Sequence, residues 1–178
     1  MFDNKPTLAG ERVTLRPVGL EHVAGLEKLL TDPEVTRLTG SHASFEPGVA
    51  EKWYATRGDH ANRLDLAILA DGEYVGEVVL NELDIDNLSC NLRIALISDQ
   101  ASKGYGTEAI RLVVDHAFRT TPLHRISLGV YSFNPRAIHV YEKVGFIKEG
   151  VLRDALLWEG QWADEIVMAV LRTDWALA

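Results

Sequence analysis

The sequence predicts a mixed α/β fold in which helices flank a central, mostly antiparallel sheet, with residues 1–178 forming one domain. Three observations predict it. A chain of 178 residues suits a single domain, and 47% hydrophobic with 25% charged residues is an ordinary globular composition. The third is the periodicity of the apolar residues. It predicts strands joined by short turns in the middle of the chain, followed by strands that alternate with amphipathic helices.

The first third of the chain predicts one strand followed by helices. In ERVTLR at 11–16, apolar and polar residues alternate, which is typical of a half-buried strand. Apolar residues at helical spacing predict a helix over 20–30, and Asp32 before a proline is typical of the cap of another helix. A turn-rich loop at 39–48 then leads into a helix predicted over 47–56.

The middle of the chain predicts an antiparallel meander. Two apolar runs, 64–70 and 74–83, are separated by the turn pair Asp71-Gly72, which indicates a hairpin. A polar turn follows, and another strand is predicted over 91–98.

The last third alternates strands and helices before two closing strands. Apolar residues at helical spacing predict helices over 107–120 and 135–144, with a strand over 124–131 between them. Two long strands are predicted to begin at about 146 and 163.

The charge balance and the single cysteine exclude several functional classes. With 26 acidic and 18 basic residues the net charge is −8, so we expect no nucleic-acid partner. We expect no membrane segment and no secretory signal, because the apolar runs are short and the N-terminus lacks a basic region followed by an apolar core. Cys90 has no cysteine to pair with, so a structural thiol, a reducing cytoplasmic setting and no metal site are expected.

A glycine-rich loop between a strand and a helix is the first chemical signal. Gly104 and Gly106 stand at the predicted helix entrance, where main-chain N–H groups and the helix dipole make a site suited to a diphosphate. The GxxxxGK[ST] spacing of a P-loop is absent, and Ala109 stands where a dinucleotide fingerprint has its third glycine. Taken alone, the two glycines are equally compatible with a tight turn.

A second motif lies on the following helix. Asn134 and a proline after it are a good helix start, and Gly145 a good helix end. Ala137 and Tyr141 fall on the apolar face between them.

Together, KGYGTEA at 103–109 and the Asn134…Tyr141…Gly145-Phe146 pattern resemble the GNAT superfamily of N-acetyltransferases. The resemblance is strongest to the branch of ribosomal-protein N-terminal acetyltransferases and extends in order from ERVTLRPV at 11–18 to GQWADEIVMAVL at 160–171. It implies the GNAT fold and acetyl-CoA as the cofactor.

The resemblance also implies which residues meet acetyl-CoA. Main-chain groups would hold its diphosphate at Ser102, Lys103, Gly104, Tyr105, Gly106 and Thr107. Where the preceding strand splays from its neighbour, main-chain groups near Leu96, Ile97 and Ser98 would meet the pantetheine arm, as would Asn134.

Tyr141 would protonate the leaving thiolate, since a phenol of pKa ~10 keeps its proton at neutral pH. A plain packing role is the alternative. The positions at which relatives carry a basic carboxylate hold Asn91 and Gly129 here. We therefore expect Glu82 to be the base; Asp84, a water chain, or an acceptor that arrives neutral are the alternatives, and Glu82 as a plain solvated carboxylate is another.

The expected reaction is direct transfer of acetyl to a primary amine in a ternary complex. The acceptor is expected to be a protein N-terminus or a small amine such as a polyamine, an amino acid or an antibiotic, with the loop at 37–48 as one wall of its site. A non-catalytic acyl-CoA-binding module is the alternative, because Asn91 and Gly129 provide no carboxylate that could act as the base. A homodimer is possible, since relatives of this branch are often dimers.

Overall fold

The computed structural model of the protein describes residues 1–175, and the fold is a single eight-stranded sheet with helices on both faces. The strands are β1 (Leu8–Ala9), β2 (Thr14–Pro17), β3 (Leu64–Ala70), β4 (Glu73–Asp84), β5 (Ser89–Leu96), β6 (Arg125–Tyr131), β7 (Ile147–Trp158) and β8 (Gln161–Leu171). The helices are α1 (Val23–Leu30), α2 (Pro33–Thr39), α3 (Val49–Thr56), α4 (Tyr105–Thr120), α5 (Pro135–Val144) and α6 (Arg172–Trp175).

The strand order is β1-β2-β3-β4-β5-β6-β8-β7, and every neighbouring pair is antiparallel except β5 and β6. The mixed, mostly antiparallel sheet flanked by helices is therefore confirmed. A crossover that contains α4 joins the two parallel strands.

Several predicted boundaries are wrong by a few residues, each for a local reason. The first strand begins at Thr14 instead of 11, because the N–H groups before it bond to the carboxylate of Glu108. Helix α4 begins at Tyr105, two residues early, because Gly104 in the left-handed conformation is its cap. The predicted strand 91–98 lies at Ser89–Leu96, and its last predicted residue starts a 3₁₀ turn.

Other elements lie close to their predicted positions. Asp32 caps α2 through its carboxylate, which accepts N–H bonds from Glu34 and Val35. Asn134 caps α5 in the same way, by accepting from the N–H of Ala137 at 3.1 Å. The predicted helix over 20–30 is a 3₁₀ turn followed by α1. Neither two-residue β1 nor four-residue α6 was predicted, since such short elements have no period to detect.

Two hydrophobic clusters cover the two faces of the sheet. The larger holds α4 and α5 against one face, and it includes Leu92 of β5, Leu128 of β6 and Met168 of β8. The smaller joins α1 and α3 to the other face through residues such as Leu26 and Ala67. Side chains alternate between the faces along each strand, so the residues adjacent to Leu92, Leu128 and Met168 point to the second face.

The sheet has a gap between β5 and β6. These strands pair through three residue pairs, the last of which is Asn91 with Ser127. β5 continues to Leu96 and β6 to Tyr131, yet no further pairs form between them. The facing main-chain edges of both strands are thus left open to a ligand.

Neither a membrane span nor a metal site is found within residues 1–175. No helix there is both long and apolar enough to cross a bilayer, and no group of three or more His, Cys, Asp or Glu side chains could hold a metal ion. Cys90 is buried in β5, and burial raises the pKa of its thiol to about 12, which fits a structural thiol.

Candidate active site

The gap between β5 and β6 opens into a cavity of about 470 Å³ that passes through the sheet. Its wall includes Tyr141 and Ile110, from the helices on one face, and Leu38 from α2 on the other. One continuous space therefore connects the face covered by α4 and α5 with the face covered by α2.

The N-terminus of α4 forms one end of this cavity. Gly104 (φ +85°) and Ser102 (φ +64°) turn the chain sharply there. The first intrahelical bond runs from the N–H of Glu108 to the carbonyl of Gly104 at 3.2 Å, so the preceding N–H groups of Tyr105, Gly106 and Thr107 have no partner within the helix. Such donors at the positive end of a helix dipole fit a diphosphate.

The predicted phosphate-binding residues divide into two sets. Ser102, Gly104, Gly106 and Thr107 line the cavity, whereas the side chains of Lys103 and Tyr105 do not. The Lys103 ammonium instead donates to the side-chain oxygen of Gln100 at 2.9 Å. The role predicted for these two residues uses main-chain N–H groups and needs no side-chain contact; it stays a prediction.

Arg12 was not identified from the sequence, and the structure brings it to this loop. Its guanidinium donates to the carbonyl of Lys103 at 3.1 Å and lies 2.7 Å from where a Cβ on Gly104 would stand. Glu108 holds the backbone there by accepting from the N–H groups of Glu11, Arg12 and Val13 at 2.5, 2.9 and 3.1 Å. Arg12 and Glu108 are 96 positions apart, so no local pattern could reveal this arrangement.

Tyr141 lies on the cavity wall among the helices. It is 8% exposed, and no side chain or main-chain group within residues 1–175 hydrogen-bonds its hydroxyl, which leaves that proton available to a ligand. Burial raises the pKa of Tyr141 to about 12, so the phenol holds its proton throughout the neutral range. Asn134, which caps α5, lines the same space.

The structure does not bring Ile97 and Ser98 to the cavity, contrary to what the resemblance implied. The N–H of Ile97 donates to the carbonyl of Val75 at 2.9 Å, and the side chain is buried in the smaller cluster. The N–H of Ser98 donates to the carboxylate of Asp32 at 2.8 Å. The gap is lined instead by Leu92–Leu96. Of the three residues that the resemblance implied, Leu96 is therefore the one that lines the cavity.

Two carboxylates line the cavity. Glu82, the predicted base, is exposed at a bulge in β4, where it adopts the left-handed conformation (φ +52°). Glu165 of β8, which the sequence did not single out, lies close to Gly129 on β6. Strained backbone and bulges are often found at ligand sites, so the bulge at Glu82 fits a functional position.

Helix α2 and the end of β6 complete the second face. Leu38 and Thr39 line the cavity, so the start of the predicted wall at 37–48 does border it. The rings of Tyr131 and Phe133 stack 5.6 Å apart, and the guanidinium of Arg37 lies 5.4 Å from the Phe133 ring. Leu38 and Tyr131 give this part of the cavity apolar and aromatic surface, and the Phe133–Arg37 contact lies beside it.

Comparison with known proteins agrees with this geometry. The model of the acetyltransferase (GNAT) domain matches residues 12–147. The chain belongs to the GNAT acetyltransferase family. It is thus an N-acetyltransferase by family, and acetyl-CoA is the cofactor that the family uses.

The chain is also similar to individual acetyltransferases, both in sequence and in fold. An uncharacterized N-acetyltransferase, p20, of Bacillus licheniformis is 28% identical over 175 residues, or 96% of this chain and 98% of that protein. A spermidine N(1)-acetyltransferase of Vibrio cholerae is 30% identical over 115 residues, or 65% of this chain and 66% of that enzyme. The crystal structure of a spermidine N-acetyltransferase from Vibrio cholerae, in complex with CoA and spermine, has the same fold (TM-score 0.85, 22% identity, 94% of this chain and 99% of that chain).

Proposed function

We propose that this GNAT chain transfers acetyl from acetyl-CoA to a primary amine on a small cationic acceptor, by direct transfer in a ternary complex. The observation that carries the proposal is the cavity through the sheet. Because it joins the loop before α4 to the face covered by α2, donor and acceptor can enter from opposite faces and meet in the gap between β5 and β6.

The cofactor side is assigned to main-chain groups. The N–H groups from Ser102 to Thr107 hold the diphosphate, Arg12 adds a positive charge beside them, and the open edge of β5 up to Leu96 with Asn134 holds the pantetheine arm. Acetyl-CoA supplies a thioester-activated acetyl group, and the overall reaction turns a protonated amine and acetyl-CoA into an amide, a free thiol and one proton.

Tyr141 is assigned the acid role. Tyr141 lines the cavity, and its raised pKa of about 12 keeps the phenol protonated at neutral pH, so the hydroxyl is present as a donor to the sulfur. As the C–S bond breaks, the phenol gives its proton to the leaving thiolate; because the thiolate is the weaker base, the transfer is drawn forward only by reprotonation of the phenolate. The phenolate that remains is then reprotonated from solvent.

A cationic alkyl amine is the acceptor class that the second face suits best. Glu82 and Glu165 offer negative charge, and Leu38 with Tyr131 offers apolar and aromatic surface for methylene groups. The likeness to spermidine N-acetyltransferases supports a polyamine. The resemblance to ribosomal-protein acetyltransferases keeps a protein N-terminus as the second candidate.

Thiol release with a panel of amines tests the proposal. The protein is mixed with acetyl-CoA and one acceptor at a time: spermidine, a peptide with a free N-terminus, an amino acid or an aminoglycoside. We expect the highest kcat/KM with spermidine. A clear preference for the peptide would move the function to the second candidate, and tight CoA binding with no release by any amine would support the non-catalytic alternative.

The remaining proposals concern the whole chain. We infer that residues 1–178 form one N-acetyltransferase domain that works in the cytoplasm as a homodimer. Exposed apolar side chains on the edge hairpin β7–β8 support an interface between two copies, since an uncovered apolar edge strand favours self-association; they are Ile147, Val151, Leu152, Leu157 and Trp162. Sedimentation of the wild type and of Leu152→Lys tests this, and a monomeric wild type would contradict it.

A further inference from the structure

We propose that Glu165 is the base of the acetyl transfer: its carboxylate takes the proton of the acceptor ammonium from a place that Gly129 leaves free. The inference rests on the proposed function and names the residue that deprotonates the acceptor amine. Gly129 itself brings no side chain to the gap, so a base at this point must come from another residue of the chain.

The first step of the argument is the position of the carboxylate. A Cβ built on Gly129 would overlap Oε1 of Glu165 and would lie 2.8 Å from its Cδ. Glu165 therefore places its acidic group against the α-carbon of Gly129, where a side chain from that position would begin. A glycine within a strand often marks a place that another group approaches closely.

The second step is the sheet register that brings the carboxylate there. Gly129 pairs with Val167, and Tyr131 pairs with Glu165, on the antiparallel strands β6 and β8. Glu165 is thus diagonal to Gly129 on the same face, within reach of a long side chain. That face is opposite to the one on which Tyr141 lies, since Leu128 and Met168 point toward α4 and α5.

The third step is the freedom of this carboxylate to act. Among residues 1–175, no side chain forms a salt bridge or a hydrogen bond with Glu165, whereas Glu149 on the neighbouring strand β7 and Asp65 on β3 are each paired with an arginine. Glu165 is half-buried and lines the cavity. An acceptor ammonium in the gap would therefore meet an anionic partner with free lone pairs.

The remaining charged and titratable groups of the cavity do not take this role. They are Glu82 of β4, Arg93 of β5, Tyr131 of β6 and, on α5, Arg136 and Tyr141. The arginines cannot accept a proton, and burial together with the nearby charge of Glu165 raises the pKa of Tyr131. Glu82 is the competing base, but it is exposed at the bulge, where water screens it, and it belongs to the more distant strand β4, beyond β5 from the gap.

The proton balance is simple. The ammonium R–NH3⁺ and the Glu165 carboxylate become R–NH2 and a carboxylic acid, and the lone pair so released forms the new N–C bond as the C–S bond breaks. The leaving thiolate takes a proton from Tyr141, and the second proton that the nitrogen loses passes to solvent, from which Tyr141 regains its own. Glu165 then returns its proton to solvent through the open end of the cavity, which accounts for the one proton that the overall reaction releases.

Kinetics of four variants test the assignment: Glu165→Gln, Gly129→Ala, Glu82→Gln and, as a control on an exposed strand position, Glu73→Gln. With spermidine near pH 7 we expect Glu165→Gln to lower kcat/KM by about 10²–10⁴-fold, the usual range for a lost base. Gly129→Ala should cause a similar loss because its methyl group displaces the carboxylate, and it should add no further loss in a Glu165→Gln background. Glu73→Gln should match the wild type, and thermal melting confirms that each variant folds.

The pH profile separates a base from a structural residue. Without the carboxylate, only the neutral fraction of the amine can react, and that fraction grows about tenfold per pH unit below an amine pKa of ~10. We therefore expect kcat/KM of Glu165→Gln to rise steeply between about pH 7 and 9 and to approach the wild type, whose own profile is flatter. Parallel profiles, or a full loss in Glu82→Gln with none in Glu165→Gln, would overturn the assignment.

A measurement without acetyl-CoA separates this inference from the proposed function. The carboxyl ¹³C resonance of Glu165, assigned by its absence in Glu165→Gln, is followed while spermidine is added to the protein alone. A resonance that moves supports the contact, even where no transfer to spermidine is measured. A resonance that stays fixed, in a protein that does acetylate spermidine, would remove Glu165 from the site and leave the proposed function standing.

Discussion

Tyr141 combines burial with a hydroxyl that reaches the cavity, and these two properties suit an acid. We expect Tyr141→Phe to lower kcat by about 10–1000-fold while leaving the affinity for CoA nearly unchanged, because the ring keeps its packing and only the proton donor is lost. Steady-state kinetics and calorimetric CoA titration check this. An unchanged kcat would return Tyr141 to its packing role against Phe146, whose ring lies 5.9 Å away.

The raised pKa of Tyr141 also fixes the sign of a pH effect. The protonated phenol is the active form, and its pKa of about 12 lies above the ordinary value. The wild-type kcat should therefore show no decline from phenol ionisation up to about pH 10. A fall in kcat that begins near pH 8, in a protein that is still folded, would contradict this environment for Tyr141.

Gly106 tests the phosphate-binding end of the cavity. A Cβ there would stand 3.4 Å from Cδ1 of Leu96, an ordinary contact, so Gly106→Ala should be accepted. Gly106→Val adds two further methyl groups at a residue that lines the cavity. We expect Val to weaken CoA binding about tenfold or more, or ~1.4 kcal/mol, in calorimetry. Equal affinities for the Ala and Val variants would place the diphosphate elsewhere.

At the scale of elements, Glu108 joins the start of α4 to the chain that enters β2. Its carboxylate accepts three main-chain N–H bonds, two of them exposed; a bond to a charged group contributes about 1.5–3 kcal/mol net, and water can replace the carboxylate at the exposed N–H groups. We expect Glu108→Ala to lower the free energy of unfolding by about 1–3 kcal/mol in urea titration, and to weaken CoA binding because Arg12 loses its support. Glu142→Ala, at an exposed helical glutamate, is the control, and equal stability of both variants would contradict the prediction.

The elements show which features a sequence can reveal. The helices α4 and α5 follow from local spacing and were predicted to within two residues, and the cap of α5 at Asn134 was predicted as well. The open strand gap came through the resemblance. Neither local spacing nor the resemblance identified Arg12 and Glu165. Arg12 reaches the site by contacting Lys103, 91 positions away. Glu165 reaches it from β8, diagonally opposite Gly129 on β6.

The misplaced pantetheine residues have a similar cause. Ile97 and Ser98 were expected at the gap from the resemblance, on a predicted strand that ran to Ser98. In the structure their N–H groups bond to Val75 of β4 and to Asp32, the cap of α2. Asp32 bonds with its other oxygen to Glu34 and Val35 of its own helix, so one carboxylate fixes both α2 and the end of β5. The bond between the N–H of Ser98 and Asp32 joins residues far apart in the sequence, so no local pattern could predict it.

At the scale of the whole molecule, charged side chains from distant parts of the chain hold both ends of α4 by bonding to main-chain groups. Arg172, just after β8, donates to the carbonyls of Phe118, Thr121 and Leu123 at the end of α4. This cation at a helix C-terminus complements the helix dipole. Since Glu108 fixes the other end of α4, the helix that presents its N-terminus to the cavity is held at both ends.

A partly buried cluster of Glu77 and two tyrosines, away from the cavity, predicts how stability depends on pH. The hydroxyl of Tyr54 on α3 donates to the carboxylate of Glu77 at 2.7 Å and lies 3.0 Å from the hydroxyl of Tyr74. Burial raises the pKa of Glu77, although the bond from Tyr54 opposes the shift. A folded-state pKa above the unfolded value means that the native state binds the proton more tightly, so this contribution is complete below about pH 4.3 and is lost as the pH rises through the folded-state pKa.

Replacing Glu77 by glutamine removes that dependence. The amide keeps an oxygen that accepts from Tyr54 and carries no charge to desolvate, so Glu77→Gln should unfold at a higher urea concentration than the wild type near pH 8 and at a similar one near pH 4. Glu73→Gln, on the same strand but exposed, should follow the wild type at both values. If Glu77→Gln is less stable than the wild type near pH 8, then the ionised carboxylate is favourable in the fold, and the attraction of Arg63 and Arg93 outweighs the cost of burial.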